Sequence, residues 1–153
     1  MKISPQHPAV IWACNIGLAI MIAYASGPVG SSILIATEEW ASLPPGAGSK
    51  AVMAVPAIAF VISLIWLSRM PTLYRRIGNA LKTAGILLLL SLPVLIVVAV
   101  VENMQPGGTG PQGNGSAAIF LVFLFGVGYG LLGLGLLVAG IVTLRRERRA
   151  ATL

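Results

Sequence analysis

The chain has 153 residues, 57% of them hydrophobic and 9% charged, with a mean hydropathy of +0.93, whereas a soluble domain carries roughly 25% charged residues. A soluble fold is excluded on that ground. The net charge of +6 sits in short segments beside apolar runs, which points to anionic lipid headgroups rather than nucleic acid, and a single cysteine, Cys14, excludes an intramolecular disulfide or a CxxC site.

The N-terminal segment holds Lys2 and the only histidine, His7, and is followed by an uncharged run that lasts until Glu38. At about 1.5 Å per residue such a run is longer than the roughly 30 Å hydrocarbon core requires. The break is expected at Gly27-Pro28-Val-Gly30, because Pro28 removes a backbone donor and the glycines loosen the chain beside it. The first span is therefore placed at about 9–26. The remainder either continues the helix past a kink to about 37 or lies along the interface with Trp40 at headgroup depth. Lys2, the apolar stretch and Ala23-Tyr-Ala25 imitate a cleavable secretory leader. Two leader prolines, His7 and Asn15 weigh against cleavage.

After an outer loop at 38–50, the uncharged run 51–68 has the length of one span, with Trp66 near its inner end, where an indole finds both apolar contact and a hydrogen-bond partner. A polar island follows at 69–82, with Arg69, Arg75, Arg76 and Lys82 and no acid. Basic residues near span ends are retained on the cytoplasmic side, so this island is read as a cytoplasmic loop, its second half a short surface helix. The third span is expected at 83–101, with Pro93 near mid-bilayer freeing a carbonyl that a neighbour must satisfy. Glu102 opens an outer loop at 102–116 whose Gly and Pro content predicts no regular structure. The last run, 117–144, ends in the tail Arg145-Arg146-Glu147-Arg148-Arg149.

The expected fold is therefore an all-α integral membrane protein, a four-transmembrane-helix bundle forming a single membrane domain with both termini cytoplasmic. The charges agree with one another: of the ten basic residues only Lys50 falls outside, together with Glu38, Glu39 and Glu102. Arg69, Arg75, Arg76, Lys82, Arg145, Arg146, Arg148 and Arg149 are read as topology and lipid-headgroup contacts in a bacterial-type inner membrane.

The sharpest pattern is the glycine spacing of the last helix. Gly126, Gly130, Gly133 and Gly140 share one face, while Gly128, Gly135 and Ala139 lie about 200° away, two residues on at 100° each. Absent side chains let helices approach closely in lipid. One such stripe is explained by packing within the chain; two call for another membrane chain or self-association. Small-residue rows in the first helix, Ala9-Ala13-Gly17 and Ala19-Ala23-Gly27, are candidates to meet the fourth.

No charged residue falls inside a predicted span, which disfavours ion-coupled transport through an internal carboxylate. Asn15, Tyr24, Ser63, Ser91 and Tyr129 are the remaining polar candidates, for interhelical hydrogen bonds or for a neutral solute path. A lone histidine supports neither haem ligation nor a catalytic triad. No catalytic, cofactor or metal residues are assigned. The reading is a small non-catalytic accessory or assembly subunit of a larger membrane complex, with a small channel or carrier for a neutral or weakly polar solute as the alternative.

Overall fold

The computed structural model describes the backbone of residues 8–40, 47–104 and 115–151, and within these the side chains of 8–30, 54–94, 96, 97, 123, 124 and 126–150. The described residues form four helices: α1 (Pro8–Trp40), α2 (Ala47–Ser68), α3 (Leu73–Met104) and α4 (Gly115–Ala151). Three contain segments long and apolar enough to cross a membrane, Pro8–Gly30, Leu73–Val94 and Gly126–Ala150. A shorter apolar helical stretch covers Ala54–Ser68. The molecule is thus all-helical, as its composition predicts, and its apolar surface fits an integral membrane setting.

The helix boundaries follow from local chemistry. Pro8 opens α1 at the position where a missing N–H costs nothing. α1 then runs unbroken through Pro28 to Trp40, so 33–40 continues the helix. α2 ends where Met70 N–H donates to Leu67 O (3.2 Å) and Pro71 forbids a further turn. The connection that follows is only residues 69–72. Thr72 caps α3: its hydroxyl oxygen accepts from Arg75 N–H (3.3 Å), and its carbonyl from Arg76 N–H (3.1 Å). Most of the 69–82 island is therefore the start of α3 rather than loop, and Arg75, Arg76 and Lys82 belong to a helix with an apolar continuation. The expectation that no cation falls within an apolar helix changes accordingly. Lys82 lies nine residues beyond Leu73, about 13 Å along the axis.

The extensive contacts are α1 with α2, α1 with α3, and α3 with α4. Among the described residues the extensive contacts therefore run in the order α2, α1, α3, α4, an open row. The α1 small-residue rows accordingly do not meet α4 to any extent among the described residues: Ala9, Ala13 and Gly17 are exposed, while Ala19 and Ala23 are buried. Ala19, Ile22, Ala25, Leu67, Ala80, Ala84 and Leu88 form the core, and most are small because the backbones approach closely. Large side chains face outward instead, Ile20, Ile62, Ile65, Val97, Phe123 and Leu131 among them. Such an inverted distribution suits a solvent as apolar as the side chains themselves.

The row also carries an internal correspondence. Asn15 and Ala80, Ala19 and Ala84, Ala23 and Leu88, and Ser26 and Ser91 are separated by one constant interval, and all eight are buried. The same interval relates Ser26-Gly-Pro-Val29 to Ser91-Leu-Pro-Val94. In both, the serine hydroxyl donates to the carbonyl three residues back, Ser26 to Ala23 O (2.7 Å) and Ser91 to Leu88 O (2.6 Å), in the turn that the proline disturbs. α1 and α3 thus share a buried pattern and a Ser-x-Pro-Val turn at matching positions.

Candidate functional site: the two faces of α4 and the basic end

The two glycine stripes of α4 have different surroundings. Gly126 and Gly130 face Leu92 of α3, where an added Cβ would lie 3.6 and 3.4 Å from its methyl carbons. Deeper along the same stripe the contact becomes backbone to backbone. A Cβ on Gly140 would lie 2.6 Å from Lys82 N and 2.7 Å from Gly78 O. One on Gly133 would lie 3.1 Å from Gly85 O. The relation is reciprocal: a Cβ on Gly85 would lie 2.7 Å from both Gly133 O and Leu137 N, and one on Gly78 2.7 Å from Leu144 Cγ. Gly78 and Gly85 on α3 are one heptad apart, as are Gly133 and Gly140 on the antiparallel α4. Each glycine Hα occupies the direction a Cβ would take, and at Gly85 and Gly140 it points at a partner carbonyl, a Cα–H···O contact that side chains would forbid.

Sequence reasoning identified the α4 half of this seam and missed the α3 half. Gly78 lay in what was read as a separate short surface helix, and Gly85 stood alone in a Leu-rich run. The legible signal was the equal seven-residue spacing on two apolar segments, which marks a straight antiparallel seam. On the α1–α2 side, a Cβ on Gly30 would collide with the Val55 side chain.

The second stripe is open. Gly128 and Gly135 have nothing within 4 Å of an added Cβ, and they are exposed together with Ala139. Leu131, Leu132, Leu134 and Val138 are likewise exposed around them. The stripe is therefore a shallow groove between larger apolar side chains.

At one end of the row, polar groups tie the elements together. Arg76 on α3 donates from Nε (2.9 Å) and Nη2 (2.6 Å) to Met70 O in the 69–72 turn, and from Nη1 to Asn15 Oδ1 on α1 (3.2 Å). Asn15 is 2% exposed, so this charge-assisted contact satisfies a buried amide. Asn79 Nδ2 reaches Met70 Sδ (3.5 Å), and the Thr72 hydroxyl donates to Glu147 on α4. Arg76 is thus a structural clasp rather than a headgroup contact alone, and Glu147 joins α4 to the turn. The sequence offered these residues as an island and a tail. Their convergence follows from the short turn and the Thr72 cap.

Around this clasp Arg69, Arg75, Lys82, Arg145, Arg146, Arg148 and Arg149 are exposed. Trp12, Trp66 and Tyr74 lie at the same end, all exposed, the pattern of an interfacial aromatic belt. Lys82 enters α3 beside Gly140, deeper than the other cations. Because Cβ bonds tilt toward the helix N-terminus, its chain leans back toward the basic end. Of the other polar candidates, Ser63 is buried and Tyr24 exposed, and Tyr129 packs against the core cluster. Among the described residues no three His, Cys, Asp or Glu side chains come together; His7 lies outside them. No protein-family model matches the chain, and comparison with curated proteins and with solved structures finds no match.

Proposed function

We propose that this chain is a four-span membrane protein with both termini cytoplasmic, in a bacterial-type inner membrane, and that it serves as a non-catalytic accessory or assembly subunit whose partner packs on α4. One observation carries the proposal. Gly126, Gly130, Gly133 and Gly140 are taken up by α3, yet Gly128 and Gly135 meet nothing within 4 Å. A flank helix with a second small-residue groove is suited to receive another membrane helix. Orientation is supported by the gathering of Arg69, Arg75, Arg76, Lys82 and the tail arginines at one end, with Glu38, Glu39 and Glu102 toward the other. Replacing Gly128 and Gly135 by Leu should abolish association in gently extracted protein, while Val127→Leu should not. Equal association in both variants would refute the assignment.

A second reading, a small channel or carrier for a neutral or weakly polar solute, is favoured by the paired Ser-x-Pro-Val turns in the two central helices. Prolines inside two neighbouring helices at matching positions free backbone carbonyls that can line a cavity. Solute flux into liposomes containing only this chain would select it.

A further inference from the structure

The C-terminal turns of α4 hold a surface cavity of about 160 Å³ lined by Val142, Arg145, Arg146 and Arg149. Their spacing places all four on one side of the helix, turned away from the Gly133, Gly140 and Leu144 stripe that α3 occupies. Glu147, the one acid of the tail, reaches the other way, accepting from the Thr72 hydroxyl. Among the described residues the cavity's lining has three guanidinium groups around an apolar floor and no acid.

We propose that this cavity is a specific site for one anionic phospholipid of the leaflet at the basic end, its phosphate held by Arg145, Arg146 and Arg149 and the first carbons of its chains laid against Val142. Planar guanidinium forks match phosphate oxygens bidentately, and three of them favour a headgroup with two phosphates over one with a single charge. The open groove Gly128–Gly135–Ala139 continues along the helix to Val142 and Arg146. A second copy approaching that groove in the same membrane orientation would bring its own three arginines against these. Like charges at such a seam repel, and a lipid phosphate between them removes the repulsion. The site rests on α4 being a membrane span; it does not require a partner on the glycines.

The test uses the full chain in phosphatidylcholine nanodiscs containing a minor fraction of phosphatidylglycerol or diphosphatidylglycerol, with retained lipid counted by native mass spectrometry and inorganic phosphate as competitor. Wild type should retain one diphosphatidylglycerol in preference to phosphatidylcholine. R145Q/R146Q/R149Q should lower that retention about tenfold or more, whereas R69Q/R75Q, which removes two exposed headgroup-facing cations outside the cavity, should lower it far less. Equal weakening in both variants would show diffuse surface charge and overturn the site. No lipid preference in wild type would overturn it too, as would displacement of the lipid by inorganic phosphate, which would assign the arginines to a soluble anion. Association of the Gly128→Leu/Gly135→Leu variant, measured in the same preparations, reads the partner proposal separately.

Discussion

Gly140→Ala and Gly135→Ala form a matched pair on one helix, five residues apart, and the structure gives them opposite outcomes. Each substitution gains about 0.5–1 kcal/mol from restricting the unfolded backbone and improving helix propensity. At Gly135 the new methyl meets nothing within 4 Å, so the gain stands. At Gly140 it would lie 2.6 Å from Lys82 N, 2.7 Å from Gly78 O and 3.1 Å from Lys82 Cα, all backbone atoms that no rotamer change can withdraw. α3 and α4 must separate by several tenths of an ångström, an overpacking that costs about 1–3 kcal/mol. The helix gain is common to both variants, so their difference isolates the seam: about 1–3 kcal/mol, Gly140→Ala the less stable. Reversible unfolding in mixed micelles, titrated with a denaturing detergent and followed by tryptophan fluorescence, measures it. Two variants agreeing within about 0.5 kcal/mol, the scatter of neutral surface changes, would refute the reasoning.

Gly78→Ala should cost less than Gly140→Ala in the same titration, because its nearest contacts are side-chain atoms of Leu144, which can turn away. Arg76→Gln should destabilise by about 1–3 kcal/mol by leaving the Met70 carbonyl and the buried Asn15 amide without their charged donor; stability unchanged from wild type would remove the clasp from the account. Thr72→Ala should lose about 1 kcal/mol with the α3 cap and the Glu147 contact, and Thr72→Ser should restore most of it. On a Cys14→Ser background, a membrane-impermeant thiol reagent applied to right-side-out vesicles should label a cysteine at Asn114 and not one at Thr72; the reverse pattern would invert the proposed topology.

Much of the fold is legible because lipid imposes simple rules. Long uncharged runs become helices, since a backbone in hydrocarbon must bond to itself. The periodicity of helix four is equally readable: Gly126, Gly130, Gly133 and Gly140 fall on the face that α3 covers, and Gly128 and Gly135 on the face left open. What escaped depended on capping and on partners. Charge density marked Arg69 to Lys82 as a loop with a separate surface helix, but Thr72 with Pro71 before it starts a helix that runs on into the apolar segment, and long side chains can carry its cations back to the interface. Placing Gly78 in a separate surface helix hid the heptad it makes with Gly85. Asn15 gave no sign of its partner, because a lone amide in an apolar run specifies a hydrogen bond without specifying to what.

The open row gives the glycine faces their meaning. In a closed ring each helix has two neighbours, whereas among the described residues α4 packs extensively on α3 alone. α2 packs extensively on α1 at the other flank, but the two flanks are not equivalent. Phe60, Leu64 and Leu67 give the α2 seam bulky side chains, while the α4 seam is built from Gly133 and Gly140. The glycines on both faces of α4 leave it able to pack closely on two sides.

The most direct test of the account is the mass of the gently extracted particle for wild type, Gly128→Leu/Gly135→Leu and Val127→Leu. Wild type and Val127→Leu should carry more than one protein chain per particle, and the double leucine variant a single one. A wild-type particle of one chain that also passes a neutral solute in liposomes would contradict the subunit assignment.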